Sequence, residues 1–274
     1  MAGRSDTSPE AERVLCEVLR KMPFERKWRQ MGVIYHTARQ LHAAGVRARK
    51  PDATPEEILT DWRTQAGLEA LTTRPGRAER MDDEDALRVV ESVVGVLGRL
   101  GISHALAGSW ASSIHGKMRF THDADICVEP FPGKEEAFCS ALGEDFYVSV
   151  NAVRDAIRQH RSFNVIHTPS SFKVDLFIAK PRPYDQSLLA RRQVRRVGGE
   201  PGLSVYLVSP EDVILLKLEW YRLGDEASEQ QWEDVLGVFR TQAGALDQDY
   251  LDRWAKALGI ADLLERARQE LAGA

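Results

Sequence analysis

The chain has 274 residues, of which 43% are hydrophobic and 28% are charged, and its formal net charge is −4. This composition is typical of a globular protein with enough apolar side chains for one large domain or two smaller ones. The negative charge argues against a protein that only coats nucleic acid, because such proteins are basic overall. No apolar run approaches the ~20 residues needed to cross a bilayer, so the sequence predicts a cytoplasmic protein with no membrane partner.

Residues 1–66 are predicted to form a helical N-terminal unit, because apolar positions recur there at helical spacing. Its second helix is expected to end at Gly45, since glycine just past a helix is a common stop. A third helix is predicted after Thr54, because Thr54 and Glu57 have the spacing of a capping box. Residues 67–81 lose this pattern and contain a Pro-Gly pair, which favours a linker.

Residues 82–274 are predicted to form a second unit, in which short strands alternate with helices. The pattern indicates an α+β fold, with a short mixed sheet, helices around it, and a C-terminal helical segment at about 210–274. The predicted strands lie at 103–107, 123–129, 163–167, 172–179 and 205–208.

Three aspartates in two of these strands predict a metal site. Asp123 and Asp125 are separated by one residue, so their side chains point to the same face of a strand. Two crowded carboxylates repel each other unless a cation lies between them, and hard oxygen ligands suit Mg²⁺ or Mn²⁺. Asp175 lies in a separate apolar strand, where a lone acid is costly if it is buried without a partner. Placed beside the other two, Asp175 would complete a three-carboxylate site.

Gly108 and Ser109 stand between a predicted strand and a predicted helix, and thirteen residues separate Ser109 from Asp123. Glycine lets the backbone come close to a phosphate, and the serine hydroxyl and the helix N-terminal amides can donate to phosphate oxygens. A nucleoside triphosphate bound there would bring its α-phosphorus to the metal site. The sequence therefore predicts an NTP as substrate.

With these motifs the sequence resembles the DNA polymerase β-like nucleotidyltransferase superfamily over about residues 105–240. Within it, the sequence is most similar to the bacterial branch of AbiEii-like toxins and minimal nucleotidyltransferases. The resemblance implies that Asp123, Asp125 and Asp175 bind the metals and catalyse transfer of a nucleoside monophosphate from an NTP to a hydroxyl acceptor. Pyrophosphate would be released.

The resemblance also implies further nucleotide-binding residues. Arg119 and Thr121, just before the aspartate pair, are expected to contact phosphate or to fix the loop. Lys217 is expected to neutralise phosphate charge from a helix that follows the sheet. Asp234, on the next helix, is a secondary candidate for a role seen in the toxin branch.

The acceptor is left open by the sequence. In the branch, acceptors are tRNA 3′ ends or side chains of a partner protein, which implies a toxin or defence role and a cognate antitoxin as a further partner. A small-molecule nucleotidyltransferase of the aminoglycoside-modifying type is the first alternative. A non-catalytic nucleotide-binding or interaction module is the second, although a protein that only binds has no need of three converging acids.

Overall fold

The computed structural model describes residues 9–65, 85–197 and 203–273, so the predicted linker at 67–81 lies outside the described residues. The helices are α1 (Pro9–Lys21), α2 (Phe24–Arg49), α3 (Pro55–Gln65), α4 (Asp85–Arg99), α5 (Gly108–His115), α6 (Glu135–Leu142), α7 (Val150–Gln159), α8 (Pro183–Arg191), α9 (Pro210–Leu223), α10 (Glu229–Thr241), α11 (Gln248–Leu258) and α12 (Ala261–Ala272). The strands are β1 (His104–Leu106), β2 (Asp123–Val128), β3 (Phe146–Tyr147), β4 (Ser162–His167), β5 (Phe172–Ile178), β6 (Gln193–Val197) and β7 (Leu203–Leu207). The predicted α+β class is confirmed.

The strands of the described residues form one mixed sheet in the order β3-β4-β5-β2-β1-β7-β6. Strand β2 is parallel to β5 and antiparallel to β1, and β1 is parallel to β7. The two edge strands, β3 and β6, were not predicted. Strand β3 has only two residues, and the charged sequence QVRRV of β6 lacks the apolar alternation that marks a strand.

The register of β2 against β5 brings the predicted acids together at the centre of the sheet. Asp125 lies opposite Asp175, and Asp123 lies opposite Lys173. Because alternate residues of a strand point to one face and directly opposite residues share it, these four side chains lie on the same face.

The other residues of β2 explain why this face is the functional one. Ala124, Ile126 and Val128 have no exposed surface and pack into a core shared with α2 and α4. On the acid face, Ala105 and Ala107 at and just after β1 belong to a second buried cluster with the C-terminal helices. The sheet is therefore covered on both faces, and the acids lie under the C-terminal helices.

Helix α2 does not end where the sequence predicts. The expectation of a stop at Gly45 was wrong. The helix continues because the next residue, Val46, is buried, which stabilises the additional turn. The N–H of Lys50 donates to the Val46 oxygen at 2.8 Å, and the helix ends there. Pro51 follows, and a residue before proline is disfavoured in helical conformation.

The capping box at the start of α3 is confirmed. The Thr54 N–H donates to Glu57 Oε2 at 2.8 Å, and the Glu57 N–H donates to Thr54 Oγ1 at 3.2 Å. No helix in residues 9–65, 85–197 and 203–273 combines the length and the apolar character that a bilayer crossing requires.

The N-terminal helices pack directly on the elements of the sheet. The ring of Trp28 in α2, 2% exposed, meets the ring of Trp110 in α5 edge to face, with 5.3 Å between their centroids. From α3, Arg63 Nε donates to Ser171 Oγ in the β4–β5 turn at 2.7 Å. The division into two units at residues 67–81 stays a prediction, and these contacts define what a test of it must disrupt.

Candidate active site

The aspartates on the central strands differ in how they are surrounded. Asp125 is the most enclosed, and its pKa is raised to about 6 by burial and by the negative charges of Asp123 and Asp175. Burial and the proximity of the other two carboxylates therefore disfavour the charged form of Asp125, and the sequence pattern predicts such repulsion. A positive charge placed among them would relieve this repulsion.

Lys173 provides part of that positive charge. Its Nζ lies 2.7 Å from Asp175 Oδ2 and 3.6 Å from Asp123 Oδ2. Within the described parts of the chain, no three His, Cys, Asp or Glu side chains are already gathered into a metal-binding cluster. The ammonium group thus lies between two of the predicted metal ligands.

Asn164 completes the surroundings of Asp175. It lies opposite Asp175 on β4, and its Nδ2 donates to Asp175 Oδ1. Sequence reasoning missed both Asn164 and Lys173. The signal for Lys173 was present, since it precedes Asp175 by two positions and must share its face, whereas Asn164 requires the hairpin register.

Gly108 is the point where β1 turns into α5, and only glycine fits there. Its φ is +52°, a left-handed conformation that strains other residues, and a Cβ would lie 1.7 Å from Asp125 Oδ2. This close approach lets the Ser109 N–H bond to the Asp125 carboxylate. Ala107, the N-cap of α5, offers no side-chain cap, so beyond the Ser109 amide that Asp125 accepts, the first amides of this helix could bind an anion.

Arg119 and Lys217 converge on one buried carboxylate, that of Asp234. Arg119 donates to both Asp234 oxygens at 2.9 Å, and Lys217 Nζ lies 2.8 Å from Asp234 Oδ2. Burial alone would raise the pKa of Asp234, but the Arg119 hydrogen bonds and the charge of Lys217 lower it, so it is held as an anion. Arg119 also donates to Ser109 Oγ at 2.6 Å. These contacts link three predicted nucleotide-binding residues to the secondary candidate.

Thr121 contacts an acid of the site. Its hydroxyl donates to Asp123 Oδ1 at 2.9 Å. This contact orients one of the predicted metal ligands, while the expected phosphate contact or loop-fixing role of Thr121 stays a prediction.

Trp110, which immediately follows Ser109, holds the same strand from the other side. It is 1% exposed, and its Nε1 donates to the backbone oxygen of Asp123 at 2.9 Å. Because Trp28 packs on the same ring, the start of β2 is supported from the N-terminal helices. A backbone contact of this kind has no sequence signal.

A cleft of about 690 Å³, lined at one end by Asp123 and Asp125, runs along the sheet and under α9. Beyond the acids, its wall carries the ring of Trp220, which is 50% exposed and lies 5.9 Å from the ring of Phe177. Phe177 follows Asp175 by two positions on β5, so it lies about 7 Å further along the same face. An aromatic surface therefore adjoins the acid site.

At the end of the cleft remote from the acids, here called the far end, some charged side chains have ion-pair partners and others do not. Within the described residues, the exposed Arg161 and Lys180 side chains have no hydrogen-bond or ion-pair partner. The two acids there share one cation, because Arg182 binds Asp185 and donates to both oxygens of Glu219 at 2.5 and 3.0 Å. With Arg161 and Lys180 included, three cations face two carboxylates, a net charge of +1. The far end of the cleft therefore carries uncompensated positive charge.

No protein-family model matches the chain, and no curated protein matches its sequence. Among solved structures, the antibiotic-resistance factor ANT(2'')-Ia is similar at 12% identity and a TM-score of 0.38, over 70% of this chain and 97% of that one. An antigenic nucleotidyltransferase-like protein from Paracoccidioides brasiliensis is similar at 18% identity and a TM-score of 0.46, over 69% of this chain and 91% of that one. At these identities and scores, neither likeness supports an inference about activity.

Proposed function

We propose that the protein is a metal-dependent nucleotidyltransferase that transfers a nucleoside monophosphate from an NTP to a hydroxyl acceptor. The observation that carries this proposal is the shared face of Asp123, Asp125 and Asp175, next to the uncapped start of α5 at Gly108. Acids that crowd together beside a ready anion site suit a reaction that brings a cation and a polyphosphate together.

The donor atoms of the site fit Mg²⁺ or Mn²⁺. All three side chains offer hard carboxylate oxygens, and two of them already share one cation, the ammonium of Lys173. Asp123, Asp125 and Asp175 would hold the metal, which supplies positive charge that stabilises the attacking and leaving oxygens.

The surrounding residues would bind the triphosphate. The amide groups at the start of α5 other than that of Ser109 offer donors, as does the Ser109 hydroxyl, and Arg119 and Lys217 offer charge. Because Asp234 holds both cations in place, little side-chain freedom is lost when phosphate binds.

The reaction itself exchanges one P–O bond for another. The acceptor oxygen attacks the α-phosphorus, the bond from that phosphorus to the α,β-bridging oxygen breaks, and pyrophosphate leaves. The proton of the acceptor hydroxyl passes to a carboxylate oxygen of Asp175. Asn164 and Lys173 orient that carboxylate in the free protein.

The charge of the cleft favours a polyanionic acceptor, such as a tRNA 3′ end, over a polycationic small molecule. Arg161 and Lys180 would attract phosphates, whereas the oxygens of Asp185 and Glu219 already accept hydrogen bonds from Arg182 and from the Lys180 backbone N–H. A base can stack on the exposed face of Trp220, as in proteins that bind single strands. The toxin role and a cognate antitoxin rest on the sequence resemblance alone.

The activity is tested with α-labelled NTPs, Mg²⁺ and a tRNA pool. We expect labelled product from the wild type and from Asp249→Asn, an exposed control on α11. Asp123→Ala and Asp175→Asn should each lose at least about 10²-fold in rate, because each removes a charged group from the reacting centre. Labelling that survives both substitutions would falsify the proposal.

The acceptor is tested separately by binding, which needs no turnover. The probe is a fluorescent single-stranded RNA whose 3′ end lacks the acceptor hydroxyl. Trp220→Ala should weaken binding about tenfold, as expected for one stacked base. The double variant Arg161→Gln/Lys180→Gln should lower the salt slope by about 1.4, whereas the exposed control Lys256→Gln should not. Tight binding of an aminoglycoside in place of RNA would favour the small-molecule alternative.

A further inference from the structure

Lys173 stands where the proposed chemistry needs a metal ion. It lies opposite Asp123 in the register of β2 and β5 and two positions before Asp175. Its ammonium is 2.7 Å from one Asp175 oxygen and 3.6 Å from one Asp123 oxygen. Two of the three proposed metal ligands therefore already have a cationic partner supplied by the chain.

A lysine ammonium and a divalent cation compete for these oxygens. Both need the same carboxylate lone pairs, and two cations a few ångströms apart repel each other in a partly buried site. The site is partly buried, since the Lys173 side chain is 25% exposed and that of Asp175 is 14% exposed. Metal binding at Asp123 and Asp175 therefore requires that Lys173 give up its contacts with them.

The displaced lysine needs a new anionic partner. Its side chain has a flexible four-carbon stem, and its partial exposure leaves it a path toward the cleft that Asp123 lines. An incoming triphosphate would bring negative oxygens into that cleft. A phosphate can then take over the ammonium while the metal takes over the carboxylates.

We propose that Lys173 is a placeholder cation, which keeps the acid site closed to metal until a nucleotide arrives. The proposal rests on the proposed function for the identity of the metal ligands, and it adds that metal and nucleotide bind with positive cooperativity. Lys173 acts here as a positioning residue, since it holds the acids in place without itself reacting.

The test measures Mn²⁺ binding to the nucleotide-free protein, by the loss of the free Mn²⁺ signal in electron paramagnetic resonance. Lys173→Gln should bind Mn²⁺ about tenfold more tightly than the wild type, because a competing charge-assisted hydrogen bond is removed. Lys173→Arg should remain weak, since it keeps the charge. The control Lys256→Gln removes an exposed lysine in the last turn of α11, away from the cleft, and should leave the affinity unchanged.

A second measurement compares Mn²⁺ affinity with and without a non-hydrolysable NTP analogue. The analogue should raise the Mn²⁺ affinity of the wild type at least tenfold, because it draws the Lys173 ammonium away from the carboxylates. It should raise the Mn²⁺ affinity of Lys173→Gln much less, because that variant has no ammonium to displace. Adding Asp123→Asn to Lys173→Gln should abolish the gain, which locates the metal at the acids.

The outcomes separate this proposal from the one it rests on. If Lys173→Gln binds Mn²⁺ no more tightly than wild type while both bind it through Asp123, the placeholder role is wrong and the metal site stands. If neither protein binds Mn²⁺ through Asp123, even with the analogue, the metal-dependent function is contradicted as well. If Lys173→Gln unfolds, the Lys173→Arg variant and the wild type still decide the question. A wild type that binds Mn²⁺ as tightly without the NTP analogue as with it would overturn the placeholder role.

Discussion

The two groups of basic residues along the cleft differ in what holds them. Arg119 and Lys217, near the start of α5, are both bound to the buried carboxylate of Asp234. The side chains of Arg161 and Lys180, at the far end, have no hydrogen-bond or ion-pair partner among the described residues. The difference suits two tasks, since fixed cations can position one triphosphate accurately, whereas exposed and unpaired cations can accommodate acceptors that differ in shape.

The largest effect should come from removing the Asp234 carboxylate, which binds Arg119 and Lys217. Asp234→Ala leaves Lys217 as a buried charge without its partner and frees Arg119, so we expect a loss of about 3–5 kcal/mol in the free energy of unfolding. At the far end, Arg161→Gln should change it by less than about 0.5 kcal/mol. Urea denaturation of both variants measures the contrast, and similar losses for the two would remove the distinction between the groups.

The second effect concerns pH and His115, the last residue of α5, the helix that begins at Gly108. His115 is buried there, and its Nε2 lies 2.9 Å from the Val208 oxygen. Burial lowers its pKa from 6.5 to about 4. Its contribution to stability is therefore complete above pH 6.5 and is lost as the pH falls toward 4, because the unfolded chain takes up the proton first. The total is roughly 3 kcal/mol at about 1.4 kcal/mol per pH unit.

The control for this prediction is His115→Gln, which cannot titrate. Asp125 and Asp212, whose pKa values are raised to about 6, act in the opposite sense between pH 3.8 and 6, since burial favours their neutral forms. They are present in both proteins and cancel in the difference. The stability difference between wild type and His115→Gln should shrink as the pH falls from 7 to 4, and a constant difference would contradict the prediction.

The third effect tests the close approach of the Gly108 backbone to the Asp125 side chain. Gly108→Ala must adopt a positive φ and place a methyl group 1.7 Å from Asp125 Oδ2. Gly133→Ala has the same kind of φ, +85°, with nothing within 4 Å, so it shows the backbone strain alone. We expect Gly108→Ala to lose about 2 kcal/mol more than Gly133→Ala in thermal or urea unfolding. Equal losses would mean that the Asp125 side chain simply moves aside.

The smallest effect separates two roles of Thr121. If its hydroxyl serves to orient Asp123, Thr121→Val should lower the free energy of unfolding by about 1 kcal/mol, the usual worth of one hydrogen bond. The KM for NTP should then stay close to that of the wild type. A raised KM with unchanged stability would instead show that Thr121 contacts the nucleotide, as the sequence resemblance implies.

The sequence predicts the shared face of the three aspartates because the signals for it are local. One intervening residue places Asp123 and Asp125 on one face, and an acid within an apolar strand points to Asp175. The structure confirms the shared face, while metal and nucleotide binding stay predictions. Asn164 was missed because it reaches Asp175 only through the register of β4 against β5, which no local pattern specifies.

The packing of the N-terminal helices was beyond sequence reasoning for a related reason. Helical periodicity shows that Trp28 lies on an apolar face, but it does not show which surface covers that face. In the structure the partner is Trp110, which in turn donates to the backbone of Asp123. A proteolytic or recombinant fragment that starts near residue 82 would therefore test the predicted division by its effect on both folding and the acid site.

The hydrogen bond from Arg63 to Ser171 also has a consequence for the order in which the protein can be built. The two residues are 108 positions apart in the chain. During translation, α3 leaves the ribosome long before the β4–β5 turn, to which Arg63 donates, has been synthesised. Likewise, Trp28 of α2 is synthesised before Trp110, the ring on which it packs. Helices α2 and α3 are thus synthesised before these partners, and a nascent chain that lacks the partners cannot assemble the supported acid site.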